Sequence, residues 1–484
     1  MANENQDLFL LLPEALLITI LSLLPIKDAV RTSVLAKYWR DLWCSRPNIE
    51  LNANHFSATH LLDENQQHQL DMNEYVMLEN KICRQNSCLE FGNWWLSKDT
   101  IPPHISSFTL ALSDPQYCLG NIQSLVYVAL FRRHTKSLEL DFSSLEWEDQ
   151  LPRNALTTPT PMFDLPQFVY QYPLLESLKL VTCRFMGDMF TILGTSLRCV
   201  SLGWIEITNA SKLSELVKSC PLLESLTLFK CFQSTYYVIE SLSLKTLVID
   251  KCVDLLSISI DTPNLTYFNY CGEVVQFGVC NFPNMKTANI DFGLVEMMDE
   301  VDGEKIAHLL HRLYFATSLT VCGFVTQALT LADEEFGLLH GQYHARSLTI
   351  KTAFHVSEFH GILSLLNAFG KLEKVRFEFG NQIIFEEDME FLGYSSPPTT
   401  FWSKVLPSKT GCVIKKLKTI EIVGYRGTLN ETNLISFILC YGHAFQTLIL
   451  RVAANDQQAK YHAMCMKKAI LDYRKGFNVE VISY

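Results

Sequence analysis

The stretch LESLKLVTC at 175–183 returns as LESLTLFKC at 223–231 and, with changes, as LKTLVIDKC at 244–252. All three share three apolar positions, L-x-x-L-x-L, and a cysteine three residues later. Further copies fit the same frame: Leu197/Val200/Leu202, Leu265/Phe268/Tyr270 and Met285/Ala288/Ile290. Measured at the middle position, successive copies lie 22, 26, 21, 21 and 20 residues apart.

A unit of that length and pattern has the spacing of a leucine-rich repeat, in which each unit contributes one short strand to a parallel sheet. One unit cannot bury its own apolar face, so neighbours must stack. Alternation along a strand points Leu178 and Leu180 inward and leaves Lys179 on the open sheet face. Cys183, Cys231 and Cys252 fall where the signature takes a small buried residue, which makes them core thiols. Weaker copies extend the array at Phe108/Leu110, Leu138/Leu140, Leu319/Val321, Leu348/Ile350, Val375/Phe377, Ile420/Ile422 and Leu448/Leu450, giving thirteen candidate strands. Segments between strands read as helical in places, as in KLSELVKSC (212–220), and elsewhere as short loops. Three inserts, 143–168, 291–305 and 380–413, break the rhythm.

Composition narrows the function. Apolar residues form 48% of the 484-residue chain and charged residues 19%, which is a folded protein. Thirty phenylalanines and eighteen tyrosines suit β-rich packing. A net charge of -11 opposes a general grip on phosphates, so nucleic acid is not expected as a partner. Fifteen cysteines are an odd and dilute set, not an extracellular framework. The apolar run at 8–24 is interrupted by Pro13 and Glu14 and follows acidic residues, so it reads neither as a leader nor as a membrane span. The expected location is intracellular, nucleus and/or cytoplasm, with reduced thiols and no membrane partner.

After a frayed tail over 1–10, residues 11–52 read as two short helices. Pro13 and Glu14 open the first, Leu16, Ile20 and Leu23 form its apolar stripe, and Pro25 ends it. The second is expected from about Lys27 to Trp43, with Val30 and Val34 on one face and Leu35, Trp39 and Leu42 on the next. Two such helices cannot cover both apolar faces alone. On pattern alone they would serve as an N-terminal cap for the repeats. A polar stretch follows, then a short helix at about 71–83. Trp94 and Trp95 are expected in the core of the first repeat region.

The pieces LP at 12–13, LLPIKDAVRTSVLAKYWRDLW at 23–43 and PN at 47–48 resemble the plant F-box motif. That resemblance implies binding of a Skp-type adaptor, and through it a cullin scaffold, by Leu12, Pro13, Ile20, Leu24, Pro25, Val30, Val34 and Trp39. The family often has a polar cap where Ile26 stands, and a basic residue where Tyr38 stands. Residues 413–452 with the following helix, expected near 459–474, resemble the FBD-type domain that closes many plant F-box/leucine-rich-repeat proteins. FNVEVISY (477–484) reads as a last edge strand.

The expected fold is therefore α/β: an N-terminal helical F-box module, then a curved leucine-rich-repeat solenoid with a parallel β-sheet, then a C-terminal capping α/β segment. The segments are a tail (1–10), F-box (11–53), linker and N-terminal repeat cap (54–104), repeats (105–410) and FBD-like cap (411–484). The resemblance implies a substrate-recognition subunit of a Skp–cullin–F-box ubiquitin ligase that holds an unknown target protein on its repeats. Alternatives are a non-degradative F-box/repeat scaffold and a plain repeat interaction protein. Phosphate-binding loops, nucleophile elbows and paired zinc-ligand motifs are missing from the sequence. His308 and His311 share a helix face without a third ligand nearby. No catalytic residue, metal or cofactor is assigned. Lys179, Lys245 and Arg376 are scattered cations on or beside the strands.

Overall fold

Alternation builds the repeat strands. In Ser177–Val181, Leu178 and Leu180 are buried while Ser177 and Lys179 are half-buried; Ser225–Phe229 and Thr246–Asp250 repeat the pattern. The computed structural model describes residues 12–56, 74–99, 101–147, 149–152, 162–294, 300–331, 343–380, 401–404, 416–474 and 476–484. The tail expected over 1–10 and much of the three inserts lie outside them. The chain divides into two units, Met1–Gln233 and Ser234–Tyr484.

In the first unit six parallel strands follow one another: Asn48–Asn52, Ser107–Ala111, Ser137–Asp141, Ser177–Val181, Cys199–Gly203 and Ser225–Phe229. Their register aligns Ile49, Phe108, Leu138, Leu178, Val200 and Leu226 in one buried row. In the second unit nine parallel strands run from Thr246–Asp250 to Asn478–Ser483, and the matching row passes from Leu247 through Phe268, Ala288, Leu319, Leu348, Val375, Ile420 and Leu448 to Val479. All thirteen expected strands are present, and so is the last strand read from 477–484. Asn48–Asn52, placed by sequence within the helical module, opens the ladder instead.

Each repeat strand must end sharply. In the three cysteine repeats the residue ahead of the thiol adopts a left-handed conformation: Thr182 (φ 57°), Lys230 (φ 50°) and Lys251 (φ 52°). Trp204 does the same (φ 51°), followed by buried Ile205 at the cysteine's position. The turn brings Cys183, Cys231 and Cys252 back into the core, at most 3% exposed.

The connectors depart from expectation between 236 and 281. Instead of loops, Tyr236–Glu240, Ser257–Asp261 and Gln276–Asn281 form a second parallel sheet of three strands. Steps of 20–21 residues leave little room for a helix, and YYVIE and SISID alternate with period two. Where the step is 26 residues, the amphipathic helix Ala210–Ser219 fits, opened by Asn209, whose side chain accepts from the Ser211 N–H at 2.9 Å.

The helix expected over 71–83 is longer, Glu74–Leu96. Nothing between 74 and 91 breaks it, and Gly92 lets it lie against the first strand: a Cβ there would sit 2.5 Å from Leu51 Cδ1. Trp95 is fully buried as expected, whereas Trp94 is half-exposed with the Lys98 ammonium 4.0 Å over its ring.

At the C-terminal end, Thr419–Val423, Leu429–Tyr441, Thr447–Val452, Gln457–Tyr473 and Asn478–Ser483 give the expected strand–helix–strand–helix order and its edge strand. The helix Leu429–Tyr441 starts with a full capping box, Thr428 accepting from the Glu431 N–H and Glu431 from the Thr428 N–H.

Candidate functional site

The N-terminal module begins with helix Glu14–Ser22, opened at Pro13. Its buried side chains are Leu17 and Leu21, which face the turn Leu42–Ser45. The stripe read from the sequence, Leu16, Ile20 and Leu23, is the opposite, outer one: these residues are 50%, 39% and 81% exposed. The second helix is shorter than expected. Ile26–Arg31 is α-helical, and single turns follow at Thr32–Val34, Lys37–Trp39 and Leu42–Ser45. Thr32 donates its hydroxyl to the Ala29 carbonyl at 2.6 Å where the helix tightens, and fully extended Ala36 ends the helical run. Ile26 is buried, and Pro25 is the N-terminal boundary residue with no side-chain cap.

The sequence-assigned adaptor residues fall into two groups. Pro13, Ile20, Pro25 and Val34 are exposed, and Leu12, Leu24 and Val30 half-buried. Trp39, assigned by the same resemblance, is buried, 4% exposed. The exposed apolar set extends to Leu16, Leu23, Leu35 and Tyr38. Sequence periodicity found the stripe on the first helix but had no signal for Leu35, which a continuous helix would have placed on the Trp39 side.

Arg46 ties this module to the repeats. It is 3% exposed, and its Nη2 donates to the Ser22 carbonyl at 3.3 Å and the Leu24 carbonyl at 2.9 Å, covering the C-terminal end of the first helix. Burial pushes the guanidinium below its ordinary range, with Glu50 opposing. The next residue, Pro47, already accepts from the Ser106 and Ser107 N–H groups of the ladder. Trp43 packs on Phe91 and Trp95 of the helix Glu74–Leu96, with ring centroids 6.1 and 5.2 Å away, and Trp95 Nε1 donates to the Cys44 carbonyl at 3.3 Å. Module and first repeat therefore share one core.

The open face of the ladder is the second candidate surface. In the first unit Lys179 pairs with Glu139 on the neighbouring strand at 2.5 Å. The first insert reaches this unit through Trp147, whose ring lies 5.1 Å from Trp204 and whose carbonyl accepts from Lys230 Nζ at 3.2 Å. A groove of about 730 Å³ in the same unit is lined by Tyr170, Phe185, Met186 and Met189 together with Asp164, Arg184, Glu206 and Lys212. In the second unit Lys374, Arg376 and Arg451 gather around Glu421.

Among the described residues, no three His, Cys, Asp or Glu side chains converge as metal ligands. Nor is any described helix long and apolar enough to cross a membrane. His308 and His311 do lie on one helix, Glu300–Arg312.

Comparison with known proteins bears on both surfaces. Residues 9–51 match the family model described as "F-box domain". Residues 171–477 match the one described as "At1g61320/AtMIF1, LRR domain", which runs through the block resembling an FBD-type domain. Among Arabidopsis thaliana proteins, one carrying the F-box name At3g29830 is 28% identical over 455 residues, covering 92% of this chain and 91% of its own length. Another, carrying the F-box/LRR-repeat name At5g54820, is 27% identical over 498 residues, covering 100% and 98%. F-box/FBD/LRR-repeat protein At3g52680 is 29% identical over 241 residues, covering 49% and 44%.

Proposed function

Because this chain belongs to the plant F-box/leucine-rich-repeat family, we propose that it is the substrate-recognition subunit of a Skp–cullin–F-box ubiquitin ligase. The observation that carries the reading is the outer stripe of the N-terminal module. Leu16, Ile20 and Leu23, with Pro13, Pro25, Val34 and Leu35, are apolar and exposed on a module matching the F-box model. A Skp-type adaptor would supply the missing cover. Fully burying one such aliphatic side chain is worth about 1.5–3 kcal/mol, so a few at the centre of an interface would dominate its energy.

The receptor itself is non-catalytic. It raises the effective concentration of a bound target near a catalytic cysteine carried by another subunit. Direct fusion of the module to the first strand serves this role, because a floating module would spread that concentration over a larger volume. The target protein is held on the repeats. Purification of the native protein with its bound partners identified tests the proposal. Stoichiometric Skp adaptor and cullin support it; a folded chain that brings down neither rejects it.

A further inference from the structure

We infer that the open face of strands Lys374–Phe379, Thr419–Val423 and Thr447–Val452 docks an extended acidic segment of a target protein, seating one carboxylate over Arg376 and Arg451. The inference rests on the receptor reading and specifies what the repeats hold.

Register places the groups. Arg376 lies opposite Glu421, and Glu378, Val423 and Arg451 follow one another across the three strands. Lys374, Arg376 and Glu378 alternate along one strand and so share the open face with Glu421 and Arg451. Glu421 is only 2% exposed, and three cations converge on it. Arg376 Nη1 donates to Oε1 at 3.2 Å, Arg451 Nε to the same oxygen at 2.5 Å, and Lys374 Nζ lies 3.1 Å from Oε2. Burial pushes the Glu421 carboxyl up, but the hydrogen bonds from Arg451 and Lys374 and the nearby charges outweigh it, and it sits below its ordinary value.

The cations are not used up by this pairing. A guanidinium carries five N–H groups in a planar fork. Arg376 spends Nη1 on Glu421 and Nε on Glu378, at 2.6 Å. Arg451 spends only Nε, so among the described residues both of its Nη groups lack a partner. Arg376 and Arg451 remain about one-third exposed, and Lys374 45%. Glu421 thus holds two guanidiniums in fixed orientations from below while their outer edges face solvent. Such pre-set forks match a carboxylate. The other carboxylates on this face are engaged: Glu378 with Arg376 at 2.6 Å, and Glu480 with the Asn478 side chain at 2.9 Å.

Spacing favours an extended ligand. Lys374 and Arg376 are two residues apart on a strand, about 6.6 Å, which is also the distance between alternate side chains of an extended peptide. Thr419, Thr447 and Ile449 fill the remaining places on this face without charge.

The test uses the full chain and a fluorescent peptide alternating Glu and Ser, beside its Gln–Ser counterpart and a phosphoserine version. Expected is binding of the Glu peptide that weakens as salt rises, with the Gln peptide at least about tenfold weaker. Arg376→Gln, Glu421→Gln and Arg451→Gln together remove the cluster without stranding a buried charge. That variant should melt like the parent and lose the peptide. If it does not fold, half-exposed Lys374→Gln and the salt series decide, and both should weaken binding. Equal affinity for Glu and Gln peptides, unchanged binding by the variants, or binding of the phosphopeptide alone overturns the inference. Adaptor capture by the same preparations separates the two claims. Adaptor bound without peptide preference rejects only this face, whereas peptide preference without adaptor rejects the receptor reading on which its role depends.

Discussion

Glu358 should make the second unit less stable as pH rises from mildly acidic to neutral. Its carboxyl is fully buried at the end of the turn Val356–Glu358. It accepts from Thr352 Oγ1 at 2.9 Å, the His355 N–H at 2.8 Å and Thr326 Oγ1 at 3.3 Å. Burial raises its pKa from 4.5 to about 7, and those hydrogen bonds offset only part of the effect. The folded chain therefore binds this proton more tightly than the unfolded chain. Stability from this group is complete below about 4.5, declines as pH rises towards 7, and is then level, the reverse of a salt-bridged carboxylate. The gap corresponds to roughly 3 kcal/mol at most. Glu358→Gln retains an acceptor for Thr352 and His355, and its amide can donate to Thr326, so the variant should lose this slope. His355, whose imidazole is pushed down by burial, titrates in both proteins and largely cancels in the difference. Urea unfolding of both proteins between about pH 5 and 8 should show curves that diverge towards neutral pH, with the glutamine variant gaining. Parallel curves would show that the carboxyl is not held neutral by its burial.

Other outcomes follow from the ladder. Leu226 is fully buried in the row of the first unit, and Leu226→Ala should cost about 2–5 kcal/mol, read as an earlier loss of that unit in urea; an unchanged curve contradicts its core position. Cys183, Cys231 and Cys252 should resist alkylation in the native chain while exposed Cys199, Cys440 and Cys465 react first. Burial also pushes the Cys183 thiol far above its ordinary range, and fast labelling of these three core thiols would contradict the turn that buries them. Lys251→Asn places a residue tolerant of left-handed backbone at φ 52° and should raise stability by about 0.5 kcal/mol; a lower urea midpoint would show that the strain there is negligible.

Much of this architecture could be read from the sequence because its signals are local and periodic. Each strand carries its own alternation, and stacking repeats it, so even weak copies such as Val375/Phe377 and Leu448/Leu450 fell into register. Features set by packing between distant segments were harder to see. Nothing in Pro47–Asn52 announces a ladder strand until Ser107–Ala111 lies beside it. Arg46 resembles any surface arginine until the end of the first helix arrives above it. The inner and outer stripes of that helix are both leucine-rich, and only the turn Leu42–Ser45 decides that Leu17 and Leu21 are inside. Arg376 reads as isolated for the same reason, since Glu421 and Arg451 meet it from two other strands. With Arg46, Trp43 and Trp95 joining module and first repeat, a probe of the adaptor face must use exposed side chains and not Leu24, which is half-buried.

If the exposed apolar stripe binds a Skp-type adaptor, Leu23 and Val34, 81% and 86% exposed, are free to carry that contact. Purified adaptor should be captured by the unaltered chain and lost by Leu23→Asp/Val34→Asp, while the two proteins melt at the same temperature, because neither side chain packs in the core. Failure of the folded, unaltered chain to bind the adaptor, or full binding by the doubly substituted one, would show that this stripe is not the adaptor face.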